Sequence, residues 1–212
     1  MHAAFPRFSR EINQIMQLGA IDSTVSELMD RAGGRFLAKG MAQLLKLGFG
    51  YLMWDSIVNR GQREKAEDFF NENFVITDST IPGGKRYYQG KFLIRTKKPD
   101  DDMNVLLKFC PQPGKLYKET PLGTFLDPLS VVITETFNEK QADRIEKDPD
   151  QVDLVIRFKD VESIKGLLKQ PDVDMASMLL DNIVQITGNL GHLFKLGAIA
   201  QNVKRKVDLP KL

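Results

Sequence analysis

The most constraining feature of this sequence is a run of alternating apolar and charged residues in its last third, at residues 152–159. Because successive side chains of a β-strand point to opposite faces, the alternation predicts a strand with one apolar face. Its other face, apart from Val155, is charged. The apolar residues are Val152, Leu154, Ile156 and Phe158, and the charged ones are Asp153, Arg157 and Lys159. Such a strand belongs in a sheet that helices cover on one side only.

The segment after this strand predicts the helices that cover the sheet. Helices are expected at residues 163–169 and 175–180, followed by a strand at residues 184–188. From residue 190 onward, mostly apolar residues recur at three- and four-residue spacing, which is typical of one face of an amphipathic helix. The stripe consists of Leu190, Leu193, Phe194, Gly197, Ala198 and Gln201. A half-covered sheet under such helices can enclose a cavity.

Residues 153–196, about a fifth of the chain, resemble the C-terminal half of the sterol carrier protein lipid-binding domain. That family has a strand of the D-V-x-I-x-F kind, and D-L-V-I-R-F stands here at residues 153–158. It also has a strand that ends in a K-I-x-G-like turn, where this chain has V-Q-I-T-G at residues 184–188. The family's glycine ahead of that strand is replaced by L-D-N at residues 180–182. The resemblance implies an α+β domain with an apolar tunnel for lipids and no chemistry of its own.

Five strand-like runs give the predicted sheet, and five is also the number that the resemblance implies. They lie at residues 87–97, 104–110, 130–137, 152–159 and 182–189. In the first run Tyr88, Phe92 and Ile94 alternate with basic residues. Residues 111–128 contain four prolines and two glycines, which predicts a long loop. The predicted fold is α+β: a five-stranded sheet covered on one face by helices, with an N-terminal helical extension.

Three parts are expected along the chain: a helical extension at residues 1–72, a sterol-carrier-like domain at 73–206 and a C-terminal tail at 207–212. Residues 36–58 are apolar on more than one helical face, so they must pack on the sheet domain, form a homodimer or contact lipid. The basic residues 204–206 could support transient contact with an anionic membrane surface, or they could form a solvated, frayed end.

Composition narrows the class of protein. The net charge is only +2, with 30 basic and 28 acidic residues, so that nucleic acid is not an expected partner. Cys110 is the single cysteine, which excludes an intrachain disulfide and a multi-cysteine metal site and fits a reducing compartment. The first residues lack the apolar core of a signal peptide, and residues 41–58 are too polar for a membrane-spanning helix. We therefore expect a cytoplasmic protein.

Catalytic motifs are missing from the sequence. His2 and His192 are far apart, and His192 is expected at the start of the last helix, facing solvent. The acidic runs at residues 100–102 and 148–150 lack the ligand spacing of a calcium loop. No phosphate-binding loop, dinucleotide fingerprint or nucleophile elbow is present. We therefore expect no enzyme activity, no cofactor and no metal.

The interpretation that fits these observations is non-enzymatic binding or transfer of a lipid-like ligand in an apolar cavity between sheet and helices. The residues expected to line this cavity are Phe92, Ile94, Val105, Leu107, Phe109, Val131, Ile133, Leu154, Ile156, Met175, Met178, Leu190, Leu193 and Phe194. Ordinary core packing requires the same side chains, so it remains the alternative for each of them. Two other functions stay open: an accessory protein that presents a lipid or quinone-like intermediate to a membrane or multi-enzyme assembly, and an enzyme.

Overall fold

The computed structural model describes residues 33–43, 46, 63–121, 123–169 and 175–206. All of these residues belong to one compact unit, Gly33–Val207. The predicted tail at residues 207–212 and most of the predicted N-terminal extension lie outside the described residues.

Helices and strands alternate along this unit. The helices are α1 (residues 34–43), α2 (Arg63–Phe74), α3 (Pro128–Val131), α4 (Glu139–Glu146), α5 (Val161–Lys169), α6 (Met175–Leu180) and α7 (Leu190–Lys206). The strands are β1 (Val75–Thr77), β2 (Lys85–Tyr87), β3 (Lys91–Thr96), β4 (Asn104–Phe109), β5 (Tyr117–Thr120), β6 (Gly123–Leu126), β7 (Val132–Thr136), β8 (Leu154–Phe158) and β9 (Val184–Gly188). The main sheet has five strands in the order β7-β4-β3-β8-β9.

The sheet is mixed, with β3 at its centre. β3 pairs with β4 in antiparallel orientation and with β8 in parallel orientation, so that Phe92 lies beside both Leu107 and Leu154. β7 and β9 are the antiparallel outer strands. The α+β class and the five-stranded sheet predicted from the sequence are confirmed. The predicted loop at residues 111–128 differs, because it contains the two-stranded ribbon of β5 and β6.

Helices cover both faces of this sheet, which corrects the prediction of a sheet covered on one side only. On the face that we call the α4 face, Leu93 pairs with Leu106 and with Val155. These three side chains form a buried cluster with Ile145 of α4 and with Val152. The prediction was wrong because Val155, the apolar exception in a charged row, has apolar neighbours in register on β3 and β4. Together they form a patch wide enough to bury a helix.

The opposite side, which we call the α7 face, has an aromatic core. The ring centroids of Phe109 and Phe92 lie 5.7 Å apart, and the Phe74 ring of α2 lies 5.4 Å from that of Phe109. Asn202 of α7 donates a hydrogen bond to Asn73 of α2 at 2.9 Å, which joins the two helices. The predicted domain boundary at residue 72 therefore falls inside α2, whose aromatic side chains pack against the strands.

Two residues at the end of β9 determine where α7 begins. Gly188 has φ +118°, and a Cβ atom there would lie 2.4 Å from the carbonyl oxygen of Asp153. Only glycine fits such a close approach without backbone movement. The next residue, Asn189, accepts a hydrogen bond from the Gly191 backbone N–H at 2.8 Å through its side chain. The strand therefore ends at Gly188, and α7 starts directly after it.

Candidate functional site

The strand residues predicted to line a ligand cavity are core residues of the α7 face. Each is at most 7% exposed: Phe92, Ile94, Val105, Leu107, Phe109, Leu154 and Ile156. Their outer side is occupied by α2, where Phe69 and Phe74 are 0% exposed, and by α7. Within the described part of the chain, these strand side chains are buried between the sheet and the helices.

The prediction that placed Val131 and Ile133 on one strand face is wrong. Val131 is fully buried, but it is the last residue of α3 and precedes β7. Ile133 pairs with Lys108 and so belongs to the α4 face, where it is half-buried. It is the next residue, Thr134, that shares the α7 face with its partner Leu107. The short helix α3 takes up the first two residues of the predicted run, and the register of β7 with β4 determines which of the remaining residues lie on the α7 face.

Helix α7 does not close over the sheet with its predicted apolar stripe. Phe194 is 73% exposed and Leu190 is 55% exposed, and Gly197 and Ala198 are exposed too. The buried side of α7 includes Ile199, which is 0% exposed. Four residues of the predicted stripe, Leu190, Phe194, Gly197 and Ala198, therefore face outward, whereas Leu193 is half-buried.

The other predicted cavity residues are distributed between core and surface. Met178 of α6 is buried, and Leu193 of α7 is half-buried. Met175 is the first residue of α6, but its side chain lies outside the described part of the structure. At the end of α6, Leu180 is 82% exposed. Large apolar side chains are thus exposed on both α6 and α7.

His192 lies at the start of α7, as predicted, but it is half-buried and does not face solvent. Its Nδ1 atom is hydrogen-bonded to the hydroxyl of Tyr88 at 2.8 Å. Its ring lies 5.6 Å from the Tyr88 ring and 6.1 Å from the Phe92 ring, centroid to centroid. The imidazole is therefore held between α7 and the aromatic core of the α7 face.

The environment of Tyr88 keeps its hydroxyl protonated. Burial, and then the negative charge of Asp153, raise the pKa of the Tyr88 hydroxyl above its usual value. A protonated phenol can either donate to Nδ1 or accept from an Nδ1–H group, so both directions of this hydrogen bond fit the geometry.

Gly90 makes room for this arrangement. A Cβ atom at position 90 would lie 2.6 Å from the Tyr88 hydroxyl oxygen and 2.7 Å from the Phe92 ring. Glycine therefore allows the phenol to pack against the backbone beside Phe92. The alternation of the first predicted strand run already placed Tyr88 on the same face as Phe92. The contact with His192 could not be predicted from this run, because His192 is 104 residues away in the sequence.

Lys195 adds a positive charge to the same place. Its Nζ atom lies 5.7 Å from the centroid of the Tyr88 ring, and burial lowers the pKa of its ammonium group. None of the ion pairs formed by the described residues includes Lys195. We call Tyr88, His192 and Lys195 the polar cluster of α7.

Cys110 is buried and is not a reactive group. It follows β4 directly and is fully buried, as expected for a strand-end residue. Burial raises the pKa of its thiol to about 12, so that it stays protonated at neutral pH.

The α4 face carries a second charged group, which the sequence did not reveal. The Arg95 guanidinium has a side-chain exposure of 5% and is paired with three carboxylates of α4. The nitrogen–oxygen distances are 2.9 Å to Asp143 and 2.6 Å to Glu146, and Glu139 pairs with it as well. Arg157 also pairs with Glu146. These side chains line a cleft of about 370 Å³ together with Thr96, Lys97 and Lys147.

A local signal for α4 was present in the sequence. Asn138 and Gln141 form a reciprocal capping box at its start, and Ala142 and Ile145 are its buried positions at a three-residue spacing. The opposite charges of Arg95 and α4 come from segments more than 40 residues apart. Their pairing could not be deduced from either segment alone.

Comparison with family models, with curated proteins and with solved structures gives no match for this chain. Among the described residues, no helix is long and apolar enough to cross a membrane. The same residues contain no group of three or more histidine, cysteine or acidic side chains positioned to hold a metal ion.

Proposed function

We propose that this protein binds and carries a lipid-like hydrophobic ligand without altering it chemically. The observation that carries this proposal is the outward apolar side of α7, where Phe194 is 73% and Leu190 is 55% exposed. The two residues are four positions apart, so they lie one above the other on the same side of the helix. Exposed apolar surface of this kind is typical of ligand-binding or interaction sites.

Burial of these side chains supplies the driving force for binding. Removing apolar surface from water contributes about 25 cal/mol per Å² before the costs of association. Leu180 at the end of α6 is 82% exposed and would add to the contact if the ligand extends that far. The resemblance of residues 153–196 to the sterol carrier protein domain supports the same interpretation. Because the strand residues of the α7 face are packed core, we place the ligand on α7 rather than between the sheet and α2.

The test is a titration of the full chain with a fluorescent fatty acid, together with mass spectrometry of organic extracts from the purified protein. We expect saturable binding, weakened about tenfold or more by Phe194→Asp and by Leu190→Asp, since a carboxylate is costly to bury in an apolar contact. Leu129→Asp is the matched control, because Leu129 is 41% exposed on α3 and is not part of the proposed site.

Because Phe194 and Leu190 are exposed, their substitution should leave the circular dichroism spectrum unchanged. A loss of binding is then separable from a loss of fold. Absence of saturable binding to the wild-type chain, with no lipid in the extracts, would rule out the proposal.

A second candidate is an accessory protein that presents a lipid or quinone-like intermediate to a membrane or multi-enzyme assembly. The same outward side of α7 favours it, because apolar residues at the surface can contact a partner as well as a ligand. A complex that survives pull-down and is lost in Phe194→Asp would support this function. Co-flotation with anionic vesicles, lost in the same variant, would instead support transient membrane contact.

A further inference from the structure

The outer strand β9 has a row of backbone groups that point away from the main sheet. β9 is paired on one side only, with β8. Just before β9, the Ile183 carbonyl accepts a hydrogen bond from the Lys159 N–H at 2.8 Å. Just after it, the Asn189 N–H donates to the Asp153 carbonyl at 3.2 Å. Because bonded positions alternate in an antiparallel pair, the odd-numbered residues of β9 bond to β8. The backbone groups of the even-numbered residues point outward: Val184, Ile186 and Gly188.

These outward groups have no hydrogen-bond partner within the described part of the chain. A row of unpaired N–H and C=O groups at a sheet edge is a template for a further strand. Proteins usually prevent such pairing with charged residues or proline on the edge strand, and V-Q-I-T-G has neither. The side chains of Gln185 and Thr187 are exposed. β9 is therefore an edge without protection.

The opposite edge strand, β7, differs from β9 in both respects. Helix α1 lies against it, since the Thr134 hydroxyl donates a hydrogen bond to the Ala42 carbonyl oxygen at 3.1 Å. β7 also carries a charged residue, Glu135, which pairs with Lys108 of β4 at 2.7 Å. A neighbouring helix and a charge both oppose the addition of a strand. Of the two edges of the main sheet, β9 is therefore the one suited to pairing.

The sequence of β9 is complementary to itself in antiparallel orientation. A two-fold axis at Ile186 places Ile186 opposite its own copy and Val184 opposite Gly188 of the second copy. These are the residues with outward backbone groups, so the bonding positions of the two strands coincide. Gly188 has no side chain and leaves room for Val184. On the other face Gln185 lies opposite Thr187 of the second copy, so that two uncharged polar side chains meet.

Exposed apolar residues lie close to this edge in the chain. Leu179 is 38% and Leu180 is 82% exposed at the end of α6, a few residues before β9. The Ile183 N–H donates to the Met178 carbonyl at 2.9 Å, which holds the end of α6 to the start of β9. A strand added at β9 therefore brings its own chain towards these leucines, and burial of their surface favours association.

We propose that two copies of this chain form a dimer through their β9 strands, paired antiparallel with the two-fold axis at Ile186, so that the two main sheets join into one. A two-fold interface uses the same surface on both subunits, which fits a strand complementary to itself. The inference does not depend on the proposed function, which places a ligand on α7.

The experiment measures the mass of the full chain in solution by sedimentation equilibrium over a wide range of concentrations. We expect the wild-type chain to form dimers that dissociate reversibly on dilution. Two double variants then test the pairing and its register. Both contain Gln185→Glu, so any effect of this change on its neighbour Arg157 of β8 is the same in the two.

Gln185→Glu combined with Thr187→Glu places like charges opposite each other at two positions of the interface, and should weaken dimerisation about tenfold or more. Gln185→Glu combined with Thr187→Lys places opposite charges at the same positions, and should dimerise at least as well as the wild-type chain. Thr136→Glu is the matched control, because Thr136 is an exposed residue of the other edge strand, β7. All the replaced residues are exposed, so the circular dichroism spectra should stay unchanged.

A difference between the two double variants, with the like-charge variant weakened and the opposite-charge variant intact, would support pairing at β9 in this register. A wild-type chain that stays monomeric at every concentration would overturn the inference. Equal dimerisation of the two double variants would overturn it too, since the dimer would then form through another surface. Neither of these results bears on lipid binding, which a monomer can carry out.

Discussion

At the scale of single residues, Arg95 is a buried positive charge that is compensated by ion pairs. Its side chain is only 5% exposed, and three carboxylates of one helix surround its guanidinium. Asp143 remains 52% exposed, so that part of the acidic charge stays hydrated. Removing one partner of such a group leaves the others uncompensated, which costs more than the pair itself contributes. Arg95 therefore acts mainly to fix α4 on the sheet.

We predict that Arg95→Met destabilises the protein by about 2–3 kcal/mol, less than for a fully buried ion pair because the carboxylates are partly solvated. Urea unfolding followed by circular dichroism measures the change. Arg86→Met is the control: Arg86 is 61% exposed and pairs with Asp78 at 3.2 Å on the surface, and we expect no measurable change. Equal effects of the two substitutions would show that the Arg95 cluster does not hold α4.

At the scale of elements, α7 has an apolar stripe that it does not bury. The side that packs on the sheet combines the His192 imidazole, hydrogen-bonded to Tyr88, with the fully buried Ile199. The outward side carries Phe194. A helix usually buries its most apolar side, so this orientation points to a contact that the isolated unit does not satisfy.

We predict that Ile199→Ala costs about 2–4 kcal/mol, because it leaves a cavity at a fully buried position. Phe194→Ala should change the stability by less than about 0.5 kcal/mol, because the side chain is exposed. Urea unfolding of the ligand-free chain measures both changes in stability. A larger effect at Phe194 than at Ile199 would mean that α7 is rotated about its axis relative to the orientation described here.

At the scale of the whole molecule, α2 belongs to the same packed unit as the strands. Phe69 and Phe74 are 0% exposed and form part of the aromatic core with Phe109. α1 also joins this unit, since the Thr134 hydroxyl donates a hydrogen bond to the Ala42 carbonyl oxygen at 3.1 Å. The unit Gly33–Val207 therefore starts well before the predicted boundary at residue 72.

We predict that a chain starting at Gly33 unfolds in one cooperative transition, whereas a chain starting at Val75 binds hydrophobic dye and aggregates. The shorter chain loses the aromatic side chains of α2 and exposes Phe109 and its neighbours to water. Dye fluorescence, light scattering and thermal unfolding distinguish the two chains. A soluble, cooperatively unfolding chain from Val75 would instead place the domain boundary near residue 72.

The sequence by itself determined the five strands of the main sheet and the α7 face of its inner strands. Alternation in β3, β4 and β8 predicted which residues share the α7 face, because side-chain direction in a strand is a local property of the backbone. The same alternation placed Tyr88 on the strand face that carries Phe92. The five strands and the α+β class follow from the same local rule.

Only the tertiary structure decided how the helices are oriented and which charges meet. The periodicity of α7 shows that the helix has an apolar stripe, but not which side packs, because that depends on Tyr88, which lies 104 residues from His192. Likewise Arg95 finds its carboxylates 44 to 51 residues away. Such contacts depend on strand order and register, which bring distant segments together, and no local pattern encodes them. The polar cluster of α7 is therefore a property of the fold and not of any one segment.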